Sequence, residues 1–325
     1  MEISKPVLDK RTLIIALVIS TLILAGLYGL FPYNFGYGLE PVSVFRNLWS
    51  LWFAKNMDDW GHCPFVPLIV VFLIWWDHKK LVTVPIENNT LIGLLGIAAA
   101  GLFFWLGYKI DITALGFLSI QVTLAALIIW FFGLKFMRAV FFPWAFLIFA
   151  WPMPFISTNI LRMLMTKIST HLLNFIGMDC IQNGTAILSA PHFEVGIQAG
   201  QLFSLEVAAA CSGLRSLFAL MMMSALAGYL MLDKPWQRWL LFFSSVPLAV
   251  AGNVFRIVLL AFGAQLFGSP FAIGTEEHPS SFHLLAGFAV YLVALVGMFV
   301  IGWLLNGGWR PVMEYCGFKA AKKSN

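Results

Sequence analysis

The sequence contains little charge: Asp, Glu, Lys and Arg make up 11% of its 325 residues, whereas soluble domains average about 25%. Hydrophobic residues make up 60% of the chain, and the mean hydropathy is +0.87. This composition excludes a water-soluble globular domain and predicts a polytopic membrane protein. The net charge of +5 does not indicate a nucleic-acid partner, because the basic residues cluster at the borders of apolar runs.

Internal repeats and low-complexity tracts are also absent, and with them the signature of a transporter built from related halves. No small-x-small cleavage site follows the first apolar run, so we expect a retained span there and not a signal peptide. Only four cysteines are present. The expected topology puts Cys63, Cys180 and Cys211 outside and Cys316 inside, and it leaves a Cys63–Cys180 disulfide open.

Long apolar runs dominate what is present. We expect eight of them to be transmembrane helices, because lipid offers no hydrogen-bond partner to exposed backbone groups. They cover residues 12–30, 64–78, 90–107, 112–133, 139–156, 208–232, 239–266 and 282–305. With eight spans, the side of the membrane that holds the N-terminus receives thirteen basic residues and the opposite side receives five. This distribution predicts that both termini lie in the cytoplasm. The expected fold is a single all-α integral membrane domain over residues 1–325.

Two outer segments interrupt the spans. Residues 31–63 are rich in Trp and Phe, which is typical of an interfacial loop that lies on the membrane. Residues 157–207 form the longest polar stretch and should be an extracytoplasmic loop. Its first part, 160–176, has helical spacing, while 181–207 carries β-prone pieces between glycines and a proline and predicts a short β-hairpin cap. The segment 208–305 should supply the catalytic helices.

Cys211 is the most informative residue of the chain. It precedes Ser212 and Gly213, where a polar loop enters a long apolar helix. The unpaired N–H groups and the positive end of a helix favour a thiolate. Arg215 lies four residues further on and should share a helix face with Cys211. The alternative is an inert buried thiol, since Cys is among the most buried residue types.

Two more polar residues point to the same outer end of the protein. Arg256 lies inside the seventh span, where an arginine costs about 3 kcal/mol or more and usually faces a site or a partner. Asn253 is three residues earlier, on the same helix face. His283 opens the eighth span, and Gly287 follows it by four residues. With Cys211, these segments bring a thiol, a guanidinium and an imidazole to one side at similar depth.

This set suits cysteine-dependent acyl transfer. His283 would take the proton of the Cys211 thiol and later protonate the leaving amine. Arg256 would stabilise the oxyanion of the tetrahedral intermediate.

A zinc site is the competing chemistry, because two glutamates and two histidines occur between residues 276 and 283. The sequence has no His-Glu-x-x-His, however, and His278 and His283 are five residues apart with Pro279 between them. They therefore do not share a helix face. We predict neither a metal nor another cofactor.

These residues and their order resemble the exosortase/archaeosortase family. The resemblance covers most of the sequence and includes the order and spacing of the motifs. Its core motifs are Ala210-Cys211-Ser212-Gly213-Leu214-Arg215-Ser216-Leu217, Asn253-Val254-Phe255-Arg256-Ile257 and His283-x-x-x-Gly287, and Trp60-Gly61-His62-Cys63-Pro64-Phe65-Val66-Pro67 resembles the family's early segment.

The resemblance implies a membrane-embedded cysteine transpeptidase of the inner membrane of a bacterium, with its active site facing the periplasm. Its substrates would be exported proteins whose C-terminal signal combines a short motif such as Pro-Glu-Pro, a transmembrane helix and a basic tail. By the family pattern Cys211 is the nucleophile, Arg256 the essential arginine and His283 the base, with Arg215 in support. Ala210 replaces a common acidic residue, so the recognised motif stays open, as does the choice between an amine acceptor and water.

Two other functions remain to be weighed. A transporter or lipid carrier would use Arg256 as an anion ligand, with Cys211 as a bystander, and would need broken helices and related halves. A scaffold subunit would have no essential polar residue. The convergence of Cys211, Arg256 and His283 on one side favours the enzyme.

Overall fold

The computed structural model describes residues 10–33, 41–55, 60–152, 158–206, 214–274 and 280–308. The chain forms two compact units, residues 1–153 and 154–325. Helices dominate both, as expected for a chain that must satisfy its backbone groups in lipid.

The first unit consists of helices and one short two-stranded ladder. Its elements in chain order are α1 (Lys10–Leu24, extended by a π-helical turn Ala25–Leu30), β1 (Pro32–Tyr33), β2 (Val42–Ser43), α2 (Val44–Ser50, extended by Leu51–Lys55), α3 (Val66–Trp76, after a 3₁₀ turn Cys63–Phe65), α4 (His78–Leu81), α5 (Thr90–Ile110), α6 (Thr113–Ala139) and α7 (Phe141–Phe146, extended by a 3₁₀ turn Leu147–Ala150). The helices α5 and α6 pack along each other over most of their length.

A buried polar network ties α6 to α7 in this unit. The Gln121 side chain donates to the Trp144 carbonyl over 2.6 Å and accepts from Trp151 Nε1 over 2.7 Å. Trp144 Nε1 in turn donates to the Gln121 carbonyl over 2.9 Å. Near its end α6 is kinked at Gly133, whose φ of 87° is costly for any residue with a side chain.

The second unit contains the sheet and the longest helices. Its elements are α8 (Thr158–Phe175), β3 (Cys180–Asn183), β4 (Ala186–Ser189), a 3₁₀ turn (Phe193–Val195), β5 (Ser204–Glu206), α9 (Leu214–Met231), α10 (Pro235–Phe267), α11 (Ser269–Ala272) and α12 (Ser281–Trp303, extended by a π-helical turn Leu304–Gly308). Pro235 starts α10, where its missing N–H costs nothing, and Gly268 ends it with a φ of 87°.

The helical fold is confirmed, while the count of eight spans is not. Within the described ranges, four helices are long and apolar enough to cross a membrane: α5, α6, α10 and α12 with its extension. Shorter apolar helices, Ile14–Leu30, Cys63–Trp76, Phe141–Ala150 and Ser216–Met231, coincide with the other four predicted spans. Over the predicted span 139–156, α6 runs on to Ala139 and the described apolar segment is Phe141–Ala150, while residues 153–156 lie outside the described residues.

The cap predicted over 181–207 is a three-stranded antiparallel sheet in the order β3-β4-β5. The hairpin β3–β4 agrees with the prediction, and β5 adds a third strand that pairs Leu205 with Ile187. Ile187 and Leu205 are buried in the same apolar cluster as Leu173 of α8 and Ile257 of α10. The sheet is thereby fixed to the helix that carries Arg256.

Two of the four cysteines lie among the described residues. Cys63 and Cys180 are both buried and both free in this structure. In β3 the backbone of Cys180 makes two hydrogen bonds with the side chain of Asn174, over 2.7 and 3.0 Å. These bonds hold the start of the sheet to the end of α8.

Candidate active site

Two membrane helices of the second unit bring Arg256 and His283 into direct contact. Nη2 of Arg256, on α10, lies 2.8 Å from Nε2 of His283, on the first turn of α12. A guanidinium can only donate, so Nε2 must be the acceptor and the imidazole must be neutral, with its proton on Nδ1. The structure thus joins Arg256 and His283 by a hydrogen bond. That both lie on the outer side of the membrane at the depth of Cys211 stays a prediction.

The start of α12 is fixed by Ser280. Its hydroxyl oxygen accepts a hydrogen bond from the backbone N–H of His283 over 3.0 Å, in the manner of a helix N-cap. The same hydroxyl donates to the carbonyl of Ala272 in α11 over 3.0 Å, and the Ser280 N–H donates to Ile273. Ser280 therefore connects the turn that carries His283 to the end of α11.

Gly287 makes room for the guanidinium. A Cβ atom at Gly287 would lie 2.9 Å from both Cζ and Nη2 of Arg256 and 3.3 Å from Nε. These distances are shorter than van der Waals contact, so the guanidinium lies directly on the backbone of α12. The spacing from His283 to Gly287 is one helical turn, which places the imidazole and the space above Gly287 on one face of α12. Gly263 similarly lets α10 approach the ring of Phe282.

A small cavity with both polar and apolar lining lies beside the pair. It has a volume of about 30 Å³, and its lining includes Ser216 of α9, Asn253 and Arg256 of α10, and Tyr291 of α12. One water molecule needs at least about 10–15 Å³, so the cavity has room for at least one water. Asn253, 4% exposed, shares the cavity face with Arg256 as its i,i+3 spacing predicts.

Arg256 is not part of an ion pair within the described part of the chain, whose two ion pairs are Lys135–Glu87 and Arg162–Glu206. Within these residues, Arg256 therefore has no carboxylate partner of the kind that would make it a purely structural link between helices. Nε of Arg256 is buried and makes no hydrogen bond to any described residue. The guanidinium thus combines one donor engaged by His283 with one that a ligand oxygen could use.

Of the predicted site residues around Cys211, the structure describes only the backbone position of Arg215. Cys211, Ser212 and Gly213 lie outside the described residues, so their placement stays a prediction. The helix α9 begins at Leu214 and includes Arg215 in its first turn.

His62 belongs to the first unit. Its Nε2 lies 3.8 Å from Sγ of Cys63 and its ring packs near Trp60. Burial lowers the pKa of His62, which favours a neutral imidazole there.

Two contributors, Ser216 and Ser280, were not singled out by the sequence, and the role of a third, Gly287, was only partly foreseen. Ser216 was quoted only as part of a motif, and Ser280 was not singled out, although a serine just before an apolar helical run is a recognised N-cap signal. The contact of Gly287 with Arg256 has no sequence signal of its own beyond the spacing from His283. It depends on how closely α10 and α12 approach.

A protein-family model described as transmembrane exosortase matches residues 49–300. The chain belongs to the transmembrane exosortase family. The match includes Cys211, Arg256, His283 and His62, and it agrees with the resemblance found in the sequence. No curated protein and no solved structure matches this exosortase. Family membership indicates a membrane transpeptidase of the cysteine class that acts on sorting signals.

Proposed function

We propose that this exosortase cleaves a C-terminal tripartite sorting signal of exported proteins through a thioester on Cys211. The observation that carries the proposal is the 2.8 Å contact between Arg256 and a neutral His283 on two helices of an exosortase. A neutral imidazole is the form that can take a proton from a thiol. A guanidinium beside it can stabilise the negative charge that the attack creates.

The reaction begins when Nε2 of His283 takes the proton of the Cys211 thiol. For this, Nη2 of Arg256 must release Nε2, and the carbonyl oxygen of the scissile bond is the natural new acceptor for the guanidinium. The Cys211 sulfur attacks the carbonyl carbon, and Arg256 stabilises the resulting oxyanion. The C–N bond breaks as the amine takes the proton from His283, which leaves a thioester on Cys211.

The thioester is resolved by a second nucleophile. An amine acceptor gives transfer of the protein to a new anchor, and water gives hydrolysis. In either case His283 takes a proton from the nucleophile and the Cys211 thiol is regenerated. We favour transfer, because family membership indicates a transpeptidase.

The proposed location is the bacterial inner membrane, with both termini in the cytoplasm and the site facing the periplasm. The distribution of basic residues between the loops supports this orientation. Substrates would carry a short motif related to Pro-Glu-Pro, a transmembrane helix and a basic tail. The substrate's own helix would enter between the spans from the bilayer.

A carrier that binds its cargo at Arg256 has less support. The described cavity beside this residue, about 30 Å³, has room for only about one to three water molecules. In addition, one donor of the guanidinium is already bound to His283.

A processing assay tests the proposal. A panel of reporters with candidate tripartite tails is co-expressed with the wild-type chain or with Cys211→Ala, His283→Ala or Arg256→Ala, and the product is followed by size and mass. We expect cleavage with the wild type and none with Cys211→Ala, while the matched control Cys316→Ser should process normally. The product mass separates hydrolysis from transfer. Cleavage of equal extent by Cys211→Ala would refute a thiol mechanism.

A further inference from the structure

The helix α8 exposes a largely apolar surface beside the exposed polar residues Lys167 and His171. Its outward-facing side chains are largely apolar: Ile160, Met163, Leu164, Ile168, Leu172 and Phe175, the last of them 89% exposed. Its inward face includes the hydroxyl residues Thr166, Ser169 and Thr170, each less than 9% exposed. In water an amphipathic helix buries its apolar side and exposes its polar one. The exposure of α8 therefore indicates an apolar environment outside it.

The orientation of α8 is fixed by its buried face. Thr166 donates to the carbonyls of Arg162, over 2.8 Å, and Thr185, over 3.2 Å, while Thr170 donates to the carbonyl of Thr166 over 2.8 Å. Met165 and Leu173 pack into the cluster formed with the sheet and α10. Rotating the helix to bury its apolar strip would expose this cluster to the surroundings.

The charge on α8 complements a phospholipid surface. The helix contains no Asp or Glu, and its exposed cation, Lys167, is followed one turn later by the exposed His171. These two side chains border the apolar strip formed by Leu164, Ile168 and Leu172. Basic and polar side chains beside an apolar strip are the pattern of a helix that lies in the membrane interface.

The position of α8 agrees with such an environment. It packs against α10, one of the four helices that are long and apolar enough to cross a membrane. The contact involves the stretch of α10 from Val254 to Ala264, which lies inside that helix. The outward face of α8 therefore continues the surface of a membrane-spanning helix.

We propose that α8 is a lipid-binding interfacial helix, whose Leu164–Ile168–Leu172 strip contacts acyl chains and whose Lys167 contacts phosphate headgroups. On its inner side Arg162 lies 3.5 Å from Glu206, the last described residue before the segment that holds Cys211. The bilayer would thus set the depth at which this segment starts. The inference does not rest on the proposed catalytic function.

Spin labelling in vesicles tests the proposal. A nitroxide is attached at Ile168→Cys and, as a matched control, at the exposed Glu194→Cys of the sheet loop, in a Cys211→Ala, Cys316→Ser background that keeps the buried Cys63 and Cys180. The probe is accessibility to molecular oxygen and to a water-soluble nickel chelate in phosphatidylethanolamine/phosphatidylglycerol vesicles. We expect a several-fold higher oxygen-to-nickel accessibility ratio at residue 168 than at 194. Equal ratios would overturn the proposal, as would shielding of residue 168 from both reagents, which indicates a protein partner or a second copy.

A second measurement uses the unaltered chain, so it does not depend on the folding of a variant. Vesicles are doped with a phospholipid that carries a photoreactive diazirine in its acyl chain, and crosslinked peptides are located by mass spectrometry. We expect lipid adducts on Leu164, Ile168 or Leu172. Adducts on α10 and α12 with none on α8 would contradict the proposal.

Discussion

Replacing Gly287 with alanine should separate Arg256 from His283 without removing either. The new methyl group would lie 2.9 Å from Cζ and Nη2 of Arg256. Ordinary carbon contacts begin near 3.5 Å, so the guanidinium must retreat by roughly 0.6 Å or more. Because Nη2 is 2.8 Å from Nε2 of His283, a retreat of that size in the same direction lengthens the hydrogen bond to about 3.4 Å, beyond the usual limit of about 3.2 Å.

Hydrogen bonds to charged groups contribute about 1.5–3 kcal/mol. A guanidinium displaced in this way would lose one such bond to the oxyanion of the transition state, so Gly287→Ala should slow processing by about 10- to 100-fold. The assay is the rate of reporter cleavage at matched enzyme levels. The substitution should not lower the intrinsic stability of the helix, since Ala exceeds Gly in helix propensity by about 1 kcal/mol.

The matched control is Gly302→Ala on the same helix. A Cβ there would meet the methyl groups of Leu241 at 3.6 and 3.9 Å, which is ordinary contact. We expect wild-type processing from this variant. Wild-type processing by Gly287→Ala as well would refute the argument that the guanidinium must lie on the backbone of α12.

Two further predictions concern the framework of the site. Ser280→Ala removes both the cap on the His283 N–H and the hydrogen bond to α11. The first turn of α12 should lose about 1 kcal/mol of stability, and its backbone amides should exchange hydrogen faster. The control Ser281→Ala, at an exposed neighbouring position, should leave the exchange rate unchanged. Burial, with a smaller contribution from Asp179, raises the pKa of Cys180 to about 11, so iodoacetamide should label Cys180 slowly at neutral pH and faster as the pH rises towards 11. Asn174→Ala should accelerate that labelling at neutral pH by loosening β3, and an unchanged rate would contradict the assigned role of its side chain.

Much of the helical framework could be predicted, because apolar runs in this chain leave helices as the only way to satisfy the backbone. The helix predicted over 160–176 matches α8 within two residues at its start and one at its end. Over the run 139–156 the described helical segment is shorter, Phe141–Ala150, since hydrophobicity does not show where a helix breaks at Val140 and again after Ala150. The third strand was missed because Ser204–Glu206 is too short to show alternation.

The residue types of the candidate site could be predicted from the sequence, but the contacts between their side chains could not. The cost of an arginine in lipid singled out Arg256, and its position in the span placed it near His283. The hydrogen bond between them could not be predicted, because it depends on the distance between α10 and α12. That distance is set by the small residues Gly263 and Gly287, together with the hydroxyl of Ser280 that fixes the start of α12.

The central claim is that Cys211 becomes acylated by the substrate with the help of His283. The most direct test is intact-mass detection of the acyl-enzyme after rapid acid quench of purified chain mixed with a reporter that the wild type processes. We predict an adduct with the mass of the cleaved substrate in the wild type, mapped to Cys211 and released by neutral hydroxylamine, and a much smaller amount in His283→Ala. Reporter cleavage with no adduct at Cys211, or an adduct that persists in Cys211→Ala, would contradict the account.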